Sequence, residues 1–241
     1  MATFHITIKS GRRGMAVEHA SYIAREGKYL KKLKSNDLMA NVHGNLPAWS
    51  HDDPKKFWSM ADRNERANGA AYREFEVALP VELTTDQQKA LVNDFITQQV
   101  GLKPFQYAIH APMAALAGVP QPHAHIMFSD RVEDGIAREP AQHFKRYNPT
   151  TPEKGGCKKD SGGEDRSALR DKLIAQRKAW ADLTNEHLKH HGHSARVDHR
   201  SHEARGIQQA PGRHLGPAWI RAEKSKEETE STTPESLPEN N

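Results

Sequence analysis

Three histidines stand where they can share one ion. His123 and His125 are separated by a single residue inside Pro122-His123-Ala124-His125-Ile126, a segment that reads as a strand, so both imidazoles project from one face while Ala124, Ile126 and Phe128 project from the other. His110 ends the preceding strand candidate, and antiparallel pairing of the two would bring it alongside. Three neutral imidazoles with open positions for water or substrate describe a catalytic metal site. Periodicity alone fits equally well with exposed or backbone-bonded histidines, since the chain has 15 of them.

Tyr22 is the candidate nucleophile. On a helix its i−4, i−3, i+3 and i+4 neighbours are Glu18, His19, Arg25 and Glu26, which puts it on the polar side, away from Val17, Ala20 and Ala24. An exposed or interface tyrosine has the same pattern. Tyr29, beyond Gly27, is a second and less secure candidate. Glu74 and Glu76 share one strand face and form either a carboxylate group near the metal or a solvated face. Arg12, Arg13, Arg25, Lys28, Lys31, Lys32 and Lys34 surround the Tyr22 segment, and Lys145, Arg146 and Tyr147 form a second basic group with an aromatic; both suit phosphates and stacked bases, or merely solubilise.

The elements that must position these residues are legible in outline. Thr3 to Lys9 alternates as a half-buried strand, and Ala16 to Glu26 predicts a helix closed by Gly27. Turn residues and Pro47 predict a loop from Ser35 to Asp53, followed by a helix over Pro54 to Asn68. Arg73 to Leu79 alternates again, Thr84 or Thr85 caps a helix to about Gln98, and Phe105 to His110 and His123 to Ser129 read as strands. The Lys, Arg, Gly and Pro between Ala137 and Glu164 predict a mobile basic loop. Ser167 to about His190 is the longest helix, with Leu169, Leu173, Ala179, Trp180, Leu183 and Leu188 near helical spacing as its packed side, and Val197 begins a short strand. The order of elements predicts an α+β domain, helices against a mostly antiparallel sheet.

At 241 residues one core-bearing domain with extensions is expected. No apolar run is long enough for a membrane span and the start alternates, so a cytoplasmic protein is expected. The single cysteine, Cys157, excludes a disulfide framework and a cysteine-rich zinc site, and leaves His, Asp and Glu as the expected metal ligands. Glu223 to Asn241 holds six Glu and two Lys, net −4; against +4 for the whole chain, this leaves +8 on the rest. A basic body suits a polyanionic partner, and the polar acidic tail predicts disorder.

The segments Phe4-His5-Ile6-Thr7, Ser21 to Tyr29, Glu65-Arg66-Ala67-Asn68-Gly69, Arg73 to Pro80, Ala108-Ile109-His110 and Pro122 to His125 resemble, in this order, the MobA/MobL family of plasmid mobilisation relaxases. Phe144 to Gly156, Ala195 to Arg200 and His214-Leu215-Gly216-Pro217 extend the likeness, which spans about residues 1 to 217 and leaves 218 to 241 as the tail. The resemblance implies a histidine-hydrophobe-histidine (HUH) endonuclease on a five-stranded antiparallel sheet. It puts Tyr22 on the family nucleophile, His110, His123 and His125 on the metal ligands, and Glu74 on the acidic residue that orients a histidine or assists proton transfer, with Glu76 as a supporting addition. The metal it implies is Mn2+ or Mg2+, although three histidines suit Zn2+ as well. The substrate it implies is the single-stranded nick region of an origin of transfer with its adjacent hairpin or duplex, nicked through a 5′-phosphotyrosine. Accessory mobilisation proteins, a conjugative coupling protein and translocation with DNA into a recipient cell are implied by the family only. Some relatives carry a primase or helicase after this domain; a chain of this length is expected to lack both. A replication initiator of the same superfamily, a non-catalytic DNA-binding regulator and a zinc hydrolase of small substrates are the competing readings. In the initiators the tyrosine usually follows the histidine pair, whereas Tyr22 precedes it.

Overall fold

The computed structural model describes residues 2–33, 37–113, 118–160 and 165–208. The chain divides into two compact units, Met1–His199 and Arg200–Asn241. In the second, the described residues contain one short 3-10 turn, Glu203–Arg205. The boundary at residue 217, the predicted tail and the His214 to Pro217 segment lie outside the described residues.

In the first unit, β1 (Ile6–Arg12), β3 (Ala70–Ala78), β5 (His123–Phe128), β4 (Phe105–His110) and β2 (Leu38–Gly44) form one sheet in that order, every neighbouring pair antiparallel. The α+β class and the five-stranded antiparallel sheet agree with expectation. The edge strand β2 does not: its residues lie in the segment predicted to be a loop. It is an edge strand of half-exposed and exposed side chains around one asparagine, one histidine and a glycine, so its alternation is too weak to read.

Helices cover both faces of the sheet. On one, Phe75, Val77, Tyr107, Ile109, Ala124 and Ile126 are buried with Leu91, Val92 and Phe95 of α4 (Thr85–Gln99) and Trp180 and Leu183 of α6 (Arg166–His190). Thr84 caps α4 with a reciprocal Gln87 capping box, as its sequence predicts. Leu169 and Leu173, expected on the packed side of α6, are instead 43% and 41% exposed, and only the later part of that helix carries the core. Val197 is buried but lies in no strand; Asn185 fixes its backbone by hydrogen bonds of 2.8 and 2.9 Å.

On the other face, α1 (Ala16–Ile23) and α3 (Pro54–Asn64) pack Ala16, Ala20, Ile23, Phe57, Trp58 and Ala61 onto Tyr72, Ala108 and Met127. Burying each large apolar side chain contributes about 1.5–3 kcal/mol, which fixes this pair of helices on the sheet. α1 stops at Ile23, earlier than predicted, because the chain turns into the left-handed region at Arg25 (φ 57°) and again at Gly27 (φ 56°). It continues as a 3-10 turn, Gly27–Tyr29, and the short α2, Leu30–Leu33. α3 ends at Asn64, before the predicted Asn68.

The segment predicted to be a mobile basic loop is largely ordered. Its described part, residues 137–160, contains the short α5 (Pro140–His143) and β7 (Lys158–Lys159), which pairs with β6 (Arg131–Val132) just before the segment, and it buries Phe144, Cys157 and Arg138. Arg131 is its anchor. The buried guanidinium bonds both Glu65 oxygens at 3.0 Å and donates to the carbonyls of Phe144 (2.5 Å), Lys145 (2.9 Å) and Cys157 (2.7 Å).

Candidate active site

Register decides which side chains meet. His123 lies opposite His110, and His125 lies between Glu76 on one neighbour and Ala108 on the other, so all project with Glu74 from the α1 face of the sheet. The structure therefore brings His110, His123 and His125 together, with one donor nitrogen of each within 4.8 Å of the others and ring centroids 5.2–5.5 Å apart.

The hydrogen bonds assign the tautomers. Carbonyl and carboxylate oxygens only accept, so His110 donates Nε2–H to Ile23 (2.8 Å), His123 donates Nδ1–H to Gln121 (3.0 Å), and His125 donates Nδ1–H to Glu74 (2.6 Å). In the neutral form each imidazole then has its other nitrogen available as a ligand. Nδ1 of His110 is buried with no hydrogen-bond partner among the described residues, the condition of a ligand nitrogen facing a cation site. Burial pushes the His110 pKa down to about 4 and that of His123 down as well, which keeps both neutral at physiological pH. The residues present thus fit a divalent ion on three nitrogens.

Glu74 is 1% exposed. Burial alone would raise its carboxyl, but the hydrogen bond from His125 and the nearby His19 imidazole outweigh that and hold it at about 2. Its second oxygen is 3.0 Å from His19 Nε2. His19 was absent from the predicted site, although it lies one helical turn before Tyr22. Its ring stacks on Tyr72 at 5.0 Å and on Tyr22 at 6.1 Å, edge-on to His125 at 6.3 Å. Tyr72 can lie there because its ring crosses Gly11, where an added Cβ would be 1.9 Å from the ring. Glu76, opposite His125 on the same face, is ion-paired with Lys9.

α1 carries the tyrosine over the histidines: the Tyr22 ring is 6.3 Å from that of His125, with the Arg25 guanidinium 5.0 Å from the Tyr22 centroid and Tyr29 edge-on at 5.3 Å. Tyr29 is committed to Glu18 by its hydroxyl. Asp62 of α3 fixes the start of α1, accepting from the backbone N–H of Gly14 (2.7 Å), Ala16 (2.9 Å) and Val17 (2.9 Å).

The expected phosphate binders divide. Arg12, Lys28, Lys31, Lys145 and Arg146 are exposed, and Tyr147 is half-buried beside them. Lys28 is ion-paired with Glu18. Arg13 donates to the carbonyls of Asp62 and Arg63 at the end of α3. Arg25 is a correction: it is buried, paired with Asp37 at 2.8 Å and spread under Tyr22, so it faces the tyrosine and not solvent. The side chain of Lys32 and all of Lys34 lie outside the described residues. Arg66, Lys145, Arg146, Tyr147, Lys158 and Lys159 line a basic groove of about 250 Å³; sequence reasoning missed Arg66, Lys158 and Lys159, which adjoin it only through the ribbon.

The class this defines is an α+β protein with three imidazoles on an antiparallel sheet and a tyrosine helix laid across them. The chain belongs to the MobA/MobL family, whose model matches residues 13–225. It is 49% identical over 208 residues to a 43 kDa relaxation protein of Salmonella typhimurium, covering 86% of this chain and 56% of that protein. It is 45% identical over 230 residues to mobilization protein A of Escherichia coli, covering 92% of this chain and 30% of that protein. The chain thus spans about half the length, or less, of these relatives. A solved structure described as "Molecular Basis of Vancomycin Resistance Transfer in Staphylococcus aureus" shares the fold, with a TM-score of 0.60 at 19% identity over 83% of this chain and all of that one. No helix among the described residues is long and apolar enough to cross a membrane.

Proposed function

We propose that this chain is a mobilisation relaxase that nicks one strand at a plasmid origin of transfer by tyrosine transesterification and later rejoins it. The observation that carries the reading is the Tyr22 ring 6.3 Å from that of His125, one of the three clustered histidines His110, His123 and His125. Those histidines would hold a divalent ion, Mn2+ or Mg2+ with Zn2+ the alternative, which when bound supplies charge neutralisation at the non-bridging oxygens of the scissile phosphate.

The chain's own residues do the rest. Tyr22 Oη attacks phosphorus in line, the ribose 3′ oxygen leaves and takes up a proton, and the 5′ end remains on the tyrosine as a phosphodiester. One ester replaces another of similar energy, so the 3′ hydroxyl can reverse the step without ATP. The Arg25 guanidinium, 5.0 Å from the ring centroid, holds the ring from beneath. Glu74 holds His125 in one tautomer and His19 against the tyrosine, a positioning role. The basic groove around Lys145, Arg146 and Tyr147 supports a role in gripping the substrate backbone and stacking a base. Cytoplasmic action, accessory mobilisation proteins and a coupling protein belong to the same proposal.

Incubation with a supercoiled plasmid carrying the cognate origin and Mn2+ or Mg2+ is expected to give relaxed circles with protein on the 5′ end. Tyr22→Phe is expected to lose at least about 1,000-fold in nicking while still binding the origin. Retained turnover in that variant would place the chain with water-activating hydrolases, and absence of nicking by the unaltered protein would place it with DNA-binding regulators.

A further inference from the structure

A second set of donors converges beside α3, where His143 meets Phe57, around the cysteine that in the sequence serves only to exclude a disulfide framework and a cysteine-rich zinc site. Glu133 follows β6, His143 ends α5 and Cys157 precedes β7, and one donor atom of each lies within 4.8 Å of the others. The ribbon brings them together: Cys157 N–H donates to the His143 carbonyl at 3.0 Å, and Gly156 lets the chain pass Lys145, whose carbonyl oxygen would be 2.2 Å from an added Cβ. His143 and Cys157 are each 1% exposed.

His143 Nδ1 is hydrogen-bonded to Cys157 Sγ at 3.5 Å, the thiol donating to it where Nδ1 is the lone pair, and is 3.4 Å from Glu133 Oε1. With zinc bonds of about 2.3 Å to sulfur and about 2.0–2.1 Å to nitrogen or oxygen, tetrahedral angles give N–S and N–O edges of about 3.5 and 3.4 Å. Glu133 Oε1, although that close to the imidazole, is buried with no hydrogen-bond partner among the described residues. The two groups therefore face a common point instead of each other. His143 Nε2 also lacks a partner there, and the ring meets Trp49 and Phe57 edge-to-face, so an N–H on Nε2 is accommodated by aromatic surroundings and Nδ1 is left as a lone pair.

We propose that Glu133, His143 and Cys157 form a structural site for a zinc-class divalent ion, with its fourth position open to water. A thiolate and a carboxylate neutralise the dication. Arg138, 3.4 Å from the sulfur through Nη1, is itself neutralised by Asp134 and would donate to the bound thiolate. As the sulfur–metal bond forms the thiol proton passes to solvent, with no change of oxidation state. A sulfur, nitrogen and oxygen donor set favours zinc over magnesium. The site would clamp the segment that presents Lys145, Arg146 and Tyr147, and it is independent of the chemistry at Tyr22.

Cobalt(II) is the probe. The full chain, stripped with chelator and titrated with Co2+, is expected to develop a near-ultraviolet thiolate-to-cobalt band and tetrahedral visible bands that one equivalent of Zn2+ bleaches. Because the chain has a single cysteine, the ultraviolet band reports Cys157 alone. It is expected to persist in His123→Ala/His125→Ala and to vanish in Cys157→Ser. A folded unaltered protein with no such band at saturating Co2+, or a band that survives in Cys157→Ser, would overturn the assignment. If Cys157→Ser does not fold, the spectrum of the unaltered chain and its zinc back-titration decide the matter.

Discussion

Glu74 shows how one side chain serves two neighbours. Its two oxygens hold His125 and His19 at once, and its depressed pKa states that the charged form is the one the fold stabilises. A carboxylate held below its ordinary 4.5 contributes stability that is fully present above that value and fades as the pH falls toward about 2. Glu74→Gln is therefore expected to lower nicking about 10–100-fold, the usual effect of losing a partner behind a ligand histidine. Its loss of stability, measured by urea unfolding, should be largest near neutral pH and shrink toward pH 3; a pH-independent difference would count against a stabilising charged carboxylate at Glu74. At this scale the sequence was informative where spacing works within one element, as for His123 and His125, and in marking Tyr22 as a polar-side tyrosine. It was silent where partners come from different elements. His19 acquires its place only because α1 crosses β3, and Arg25 exchanges its expected solvent position for Asp37 and the tyrosine ring only because the helix ends early.

Among the elements, α1 depends most on a neighbour. Its first turn is satisfied by Asp62, a side chain of α3, and not by a residue of its own: Met15 at the N-cap makes no side-chain hydrogen bond. Asp62→Ala is expected to cost about 1–2 kcal/mol in thermal or urea unfolding, in the range of lost helix caps. It should also slow nicking more than it weakens origin binding, because the helix that loses its anchor carries Tyr22. Equal losses in both would mean that α1 is held by its apolar side alone. Strong alternation and cap residues made β1, β3, β4, β5 and α4 readable to within a few residues. β2 and the β6–β7 ribbon escaped because edge or two-residue strands are specified by the partner they pair with, not by their own pattern. The first turns of α6 misled for the opposite reason: Leu169 and Leu173 have the right spacing but rest outside the core.

For the whole molecule, the sheet separates tasks. One face is closed by α4 and α6 into an apolar core, and the other carries the histidines, Glu74 and the tyrosine helix, with the basic ribbon at its side. Fold class was legible because the order of elements and the family likeness point the same way. The ordering of the Ala137 to Glu164 segment was not, since a run of Lys, Gly and Pro looks like a loop until Arg131 and Glu65 are seen to bind it from within. If the groove holds a single strand, the log of affinity should fall against the log of salt concentration with a slope that reports the phosphates contacted. Lys145→Ala/Arg146→Ala is expected to reduce that slope by about 1.4, at about 0.7 per contact on single-stranded DNA, without changing which origin is preferred. An unchanged slope would remove the groove from the binding path.

The Ile23 carbonyl, which closes α1 and receives the Nε2–H of His110, gives the helix a second duty. Helix and imidazole are joined by that bond: under the proposed function, a displacement of α1 that carried Tyr22 outward with a strand attached would also release the ring whose other nitrogen would face the cation. Departure of the nucleophile and slackening of the ion's cradle would then be one movement, and resetting the helix would re-form both.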